Sequence, residues 1–186
     1  MIKFSGFHGT NFDNTISIVK NGFVPSSGDD HWLGDGIYFF LDGLSRTPEI
    51  QAENWAIAQA WDNKKKEFVY DKLVVFEAEI QANENECLDL RTSEGVEMFQ
   101  YFVDQFILHI KKFGRNLNYL DGLILNFAKK EGVIPFSIVI GNFYIKFTKE
   151  RIEKLNLRVQ NCTICNVMES NPCISSYKVI KTGTLS

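Results

Sequence analysis

Three short segments of the chain hold the residue types that chemistry borrows most often. They are Phe7-His8-Gly9-Thr10, Leu33-Gly34-Asp35-Gly36-Ile37-Tyr38-Phe39-Phe40 and Arg158-Val159-Gln160-Asn161-Cys162. A neutral imidazole offers one donor and one acceptor on the same ring, and a phenol offers a stacking face with a polar tip. Glycines let the backbone turn tightly or approach a ligand closely. Each segment also has an ordinary explanation. A histidine at a strand end serves as a structural hydrogen-bonder, a tyrosine as core or rim, a Gly-x-Gly as a turn, and a glutamine as a solvent-facing strand residue. Only the three together, brought to one place by the elements that carry them, would make a site.

The cysteines point away from metal chemistry. Cys162-Thr163-Ile164-Cys165 has the spacing of a zinc half-site, but no second C-x-x-C or H-x-x-H pair accompanies it. The segment reads as a strand, in which residues three apart leave opposite faces. Cys87, Cys162, Cys165 and Cys173 therefore read as buried free thiols of a reducing compartment, and no metal is expected.

Periodicity and punctuation outline the elements that must position these segments. Ile2 to Phe7 alternates as a first strand. A helix follows, with Thr10 as N-cap, Asp13 three residues on, Ile16 and Val19 as its apolar face, and Gly22 at its C-terminal end. Residues 24–36 form a polar loop punctuated by Pro25, Gly28, Gly34 and Gly36. Gly36 to Phe40 is a short strand. Thr47 and Pro48 start the next helix, which carries Ala52, Trp55, Ala56 and Ala60 and reaches Lys64. Strands are expected at 72–80 and 87–90, and an amphipathic helix over 93–113 with Val96, Phe99, Val103, Phe106, Ile107 and Ile110 as its stripe. A helix over 119–130, a strand pair or one long strand over 136–147 broken at Gly141-Asn142, a short helix over 149–155, and strands at 157–165 and 174–180 complete the chain. Without regular β-α-β alternation, the pattern predicts an α+β fold with mostly antiparallel sheets in a single domain over 1–186.

The formal charge of −3 on 186 residues does not mark a nucleic-acid binder. Lys64-Lys65-Lys66, Lys111-Lys112 with Arg115, and Lys146, Lys149, Arg151 and Lys154 read as solvated helix ends. An RNA or DNA partner gains weight only if these runs share a face with the site. No leader and no stretch of ~18 apolar residues is visible, so a cytoplasmic protein without a membrane partner is expected.

His-Gly-Thr ending a first strand, then a helix, a glycine-bearing loop and Gly-Ile-Tyr-Phe, together resemble one family. They are similar to the N-terminal half of the ADP-ribosyltransferase signature of the poly(ADP-ribose) polymerase and diphtheria-toxin type. Asp30-His31-Trp32-Leu33-Gly34-Asp35-Gly36-Ile37-Tyr38-Phe39-Phe40 also looks like small stand-alone bacterial members of that superfamily. The resemblance is specific over residues 7–40 and topological beyond residue 60 apart from the last-strand segment. It implies a split, mostly antiparallel sheet with a cleft between its halves, and NAD as co-substrate. In that reading His8 hydrogen-bonds a ribose hydroxyl and Gly9 admits the nicotinamide amide. Thr10 assists the adenosine side, Tyr38 stacks on nicotinamide, Gly36 shapes the turn, and Trp32 on a moving loop adds a second aromatic wall.

The family's usual third residue is a glutamate that stabilises the positive charge developing on the ribose as the nicotinamide bond breaks. No glutamate sits in a late strand here. Val159-Gln160-Asn161-Cys162 looks like the last-strand motif of the small bacterial members, which makes Gln160 the candidate, with Asn142 and Ser176 as runners-up. A neutral amide favours transfer of a single ADP-ribose unit over chain elongation. By analogy with the family the acceptor is an intracellular protein, RNA or DNA, in the setting of a toxin or anti-phage effector with an antitoxin or immunity partner. Two alternatives stay open: a non-catalytic NAD or ADP-ribose binding module, and an RNA 2′-phosphotransferase, which would need several Arg and His residues on a phosphate.

Overall fold

Leu73-Val74-Val75-Phe76 is apolar at every position, the mark of a strand covered on both faces, and it lies near the start of the longest central strand. The computed structural model describes residues 1–28, 30–112, 119–133, 136–169 and 173–185. In chain order the elements are β1 (Ile2–Asn11), α1 (Asn14–Asn21), β2 (Ile37–Leu41), α2 (Pro48–Ala60), β3 (Trp61–Asp62), β4 (Glu67–Phe68) and β5 (Lys72–Ala82). After a 3-10 turn at Glu84–Glu86 come β6 (Cys87–Asp89), α3 (Ser93–Lys112), α4 (Leu120–Lys130), β7 (Ile138–Phe143), α5 (Thr148–Ile152), β8 (Cys162–Val167) and β9 (Ile174–Thr184).

Seven strands form one sheet in the order β6-β7-β8-β2-β1-β5-β9, and β3 and β4 form a separate hairpin. All neighbours in the large sheet are antiparallel except β6 and β7. The architecture is therefore α+β with a mostly antiparallel sheet flanked by helices. The expected pair of separate half-sheets is replaced by one sheet with a weak seam. β1 pairs with β5 from Ile2↔Ala82 to Asn11↔Leu73, whereas β1 meets β2 only at Gly6↔Leu41 and Phe7↔Phe40. Beyond Phe7 the two strands separate.

Apolar residues divide into two clusters, one on each side of the sheet. One holds Ala52 and Ala56 of α2, Phe102 and Ile110 of α3, and Ile124, Leu125 and Ala128 of α4 against Leu73, Val75 and Ile164. The other packs Ile18 of α1 and Phe23 against Phe39, Val74, Phe76 and Ile80. Cys162 belongs to the first and Cys165 to the second, as strand alternation requires. Among the described residues no cluster of His, Cys, Asp or Glu could hold a metal ion, and no helix is long and apolar enough to cross a membrane.

Several boundaries differ from expectation. Thr10 is not a helix cap. β1 continues through it, pairing Thr10 with Val74, and Asp13 takes the cap position without a side-chain bond. Starting later rotates the helix, so Ile18 is buried while Ile16 and Val19 are exposed. α2 stops at Ala60, where the chain reverses into the β3–β4 hairpin. The α3 stripe packs on the core through Phe99, Val103, Phe106 and Ile110 as expected, but Phe102 joins it fully buried and Val96 is exposed. Gly141 and Asn142 lie inside β7 and break nothing. The strand expected at 157–165 begins only at Cys162. Just before it, the Asn161 side chain accepts from the Ile145 amide at 2.8 Å and donates to the Ile145 carbonyl at 2.9 Å, taking the ladder's place. Arg115, one of the basic residues noted above, lies outside the described residues, as does the side chain of Lys149.

Candidate functional site

The seam between β1 and β2 opens into a cavity of about 750 Å³. Its walls include His8, Gly9 and Thr10 of β1, Gly36, Ile37, Tyr38, Phe39 and Phe40 at β2, and Asp30, His31 and Trp32 of the intervening loop. Residues of both core clusters contribute, so the cavity runs through the gap where the ladder stops. His8 and Tyr38 leave the sheet on opposite sides, His8 toward Phe23 and Phe39, Tyr38 toward the helices of the first cluster. They do not face each other across a cleft, as the resemblance leads one to expect, and line the same cavity only because the strands part.

The broken ladder is closed by a side chain. His8 Nδ1 lies 2.8 Å from the Tyr38 carbonyl oxygen, which can only accept, so Nδ1 carries the proton and Nε2 is left as an acceptor. The ring packs edge-on against Phe23 at 5.3 Å. Burial among these rings pushes the His8 pKa below its ordinary value, and the bond to the Tyr38 carbonyl opposes that to a smaller extent. At neutral pH the group is a neutral imidazole able to accept a hydroxyl hydrogen bond.

Tyr38 has its hydroxyl fully engaged. It donates to the Gly34 carbonyl at 2.6 Å and accepts from the Leu33 amide at 2.9 Å. Burial raises its pKa far above the usual tyrosine value. The ring, not the hydroxyl, is the part left for a ligand, and His31 lies tilted 5.8 Å from it. Trp32 lines the cavity, stacked on Phe143 at 5.5 Å with Trp55 at 6.5 Å, forming an aromatic wall.

Hydrogen bonds hold the loop at Ser26 and over residues 33–36. Ser26 and Gly36 exchange two backbone bonds at 2.9 Å. Buried Asn166 of β8 donates to the carbonyls of Leu33, Gly34 and Asp35 at 2.7, 3.2 and 3.1 Å. Asn126 of α4 accepts from the Asp35 amide at 2.6 Å. The glycines serve this packing. A Cβ at Gly36, whose φ is +154°, would strike the Asn166 side chain, and a Cβ at Gly9 would strike the Ala52 carbonyl of α2. Gly9 thus lines the cavity, yet the side chain it forgoes would have met a helix and not a ligand.

The candidates for a third catalytic group do not gather here. Gln160 precedes β8, is exposed, and donates from Nε2 to the Asn142 carbonyl at 3.0 Å. The expected shared strand face of Arg158, Gln160 and Cys162 does not form, because residues 157–161 are not in a strand. Asn142 accepts from Thr163 at 2.8 Å, and Ser176 is exposed on β9 opposite Glu79. None of the three lines the cavity.

Residues that the sequence did not single out do line it: Asn14 and Ser17 of α1, Trp55 and Gln59 of α2, Tyr119, and Arg151 of α5. Spacing from Tyr38 could not reveal them, since each comes from a helix or loop brought in by packing. Arg151 lies in the cavity wall and not on a solvated helix end, the one residue of the expected basic runs among those that line the cavity. Asp30 is the one carboxylate in the described wall.

No family model matches the chain. It is 25% identical over 195 aligned residues to an uncharacterized protein of Methanocaldococcus jannaschii, the alignment covering 97% of this chain and 86% of that protein.

Proposed function

We propose that the cavity binds NAD and that the protein transfers a single ADP-ribose unit from it to an intracellular macromolecular acceptor. The observation that carries this reading is the interrupted β1–β2 ladder, with neutral His8 and the Tyr38 ring lining one cavity at the interruption. The volume of about 750 Å³ lies within the range of small-ligand sites and admits a dinucleotide. His8 accepts a ribose hydroxyl at Nε2, Tyr38 and the Trp32–Trp55 wall flank the nicotinamide, and Thr10 with Asn14 meets the far ribose. Fold kinship with the ADP-ribosyltransferases belongs to the same proposal, as does a toxin or defence role with an inhibitory partner.

The reaction separates nicotinamide from its ribose, leaving positive charge on the ribose carbon that the acceptor's nucleophile then quenches. Mixing the protein with NAD labelled in the adenosine ring, with and without cell lysate, tests the proposal. Nicotinamide release with label entering protein, RNA or DNA is expected; binding without release refutes transfer.

A second reading is favoured by one observation, the exposure of Gln160 away from the cavity wall. The chain would then bind NAD or ADP-ribose without turning it over. Calorimetric binding of ADP-ribose together with intact NAD after prolonged incubation would select this reading.

A further inference from the structure

Arg151 is an unusual member of the cavity wall. Its Nε donates to the Lys146 carbonyl at 2.8 Å and its Nη1 to the Ala58 carbonyl at 2.7 Å, near the C-terminal end of α2. The guanidinium carbon stands 5.1 Å from the centroid of the Trp55 ring. No carboxylate among the described residues pairs with it, and partial burial lowers its pKa. A half-buried cation without a counter-charge is costly unless an anion completes it.

The geometry also preorganises the group. A guanidinium has five N–H donors in one plane. The two bonds to carbonyls and the seat on Trp55 fix its orientation, leaving one N–H of Nη1 and both of Nη2. That free edge suits two oxygens of one phosphoryl group. Gln59 and Tyr119 also line the cavity and add polar and aromatic surface.

We propose that Arg151, seated on Trp55, is a phosphate-binding residue and that the cavity's ligand presents a phosphoryl group to it. The inference rests on the reading of the cavity as a nucleotide site. The phosphate has two possible sources: the pyrophosphate of the dinucleotide, or a phosphate carried by the acceptor. One chemistry serves both.

The test uses titration calorimetry on the full chain with four probes. ADP and adenosine form one pair. A short oligonucleotide with and without a 5′-phosphate, in saturating NAD, forms the other. Arg151→Gln keeps an amide donor for the neighbouring carbonyls and removes the charge, and Arg151→Lys keeps the charge and removes the fork. Losing a charge-assisted bidentate contact lowers affinity roughly tenfold to hundredfold. Arg151→Gln is expected to show that loss for ADP, with adenosine changing less than about threefold, if the dinucleotide supplies the phosphate. If the acceptor supplies it, the loss appears for the 5′-phosphorylated oligonucleotide alone. Arg151→Lys should fall between wild type and Arg151→Gln, and it decides the matter should the glutamine variant fail to fold. Equal losses for phosphorylated and unphosphorylated probes would reduce Arg151 to a structural cap of α2, and no loss for either would remove it from binding; both overturn the proposal. Wild-type protein that binds ADP through Arg151 but releases no nicotinamide from NAD would retain the phosphate site and refute the transferase. Nicotinamide release with Arg151 variants of unchanged affinity would do the reverse.

Discussion

Tyr38→Phe separates two jobs that one side chain performs. The substitution keeps the ring for a ligand and removes the hydroxyl that ties the loop to β2. The Gly34 carbonyl loses a 2.6 Å donor but keeps the Asn166 amide at 3.2 Å. The Leu33 amide, bonded to the hydroxyl at 2.9 Å, has no other partner among the described residues and belongs to a fully buried residue. One buried donor is therefore orphaned, which costs about 1–3 kcal/mol. For a chain of this size each kcal/mol moves the melting midpoint by about 2–4 °C, so a drop of about 2–12 °C is expected. The assay is urea and thermal denaturation of wild type, Tyr38→Phe and Tyr38→Ala, paired with NAD titration. Tyr38→Phe should be destabilised yet bind NAD within about threefold of wild type. Tyr38→Ala should be less stable still and lose the stacking term of about 1–3 kcal/mol. Wild-type stability in Tyr38→Phe would refute the claim that this hydroxyl holds the loop. Equal loss of NAD affinity in both variants would refute the assignment of binding to the ring.

Other outcomes follow from the same geometry. Because the folded protein depresses the His8 pKa, the unfolded chain takes up the proton first as pH falls. Stability should decline as pH drops through about 6.5, the unfolded value, and His8→Asn should flatten that slope in denaturation midpoints measured across pH. Gly9→Ala forces a Cβ onto the α2 backbone, so a loss of about 3 kcal/mol or more is expected, and a wild-type melting curve would contradict the packing described for β1 on α2. Gln160→Ala removes an exposed side chain with one backbone bond and should change stability by no more than about 1 kcal/mol. Its turnover of NAD should also match wild type, and a fall of ~10²–10³ would instead establish Gln160 as the third catalytic group.

Local chemistry alone marked several residues that line the candidate site. The words His8-Gly9-Thr10, within β1, and Gly36-Ile37-Tyr38-Phe39, at the start of β2, are each local, so their residue types and glycines were legible without knowing what they pack against. The same holds for the apolar run at Leu73-Phe76 and for the start of α2 at Thr47-Pro48, where period and punctuation suffice. Tertiary structure decided the rest. It delayed the start of β8 to Cys162 by letting the Asn161 amide replace the ladder, which left Gln160 outside the sheet and exposed. It tied residues 33–35 of the loop to Asn166 and Asn126, residues more than ninety positions away whose hydrogen bonds no local pattern encodes. It carried Arg151 out of a lysine-rich run and onto Trp55, because a guanidinium can bond the end of a helix that arrives from elsewhere in the chain. Periodicity reports which residues share a face of one element. Which faces meet, and which backbone groups remain for a distant side chain to satisfy, depends on how the elements pack.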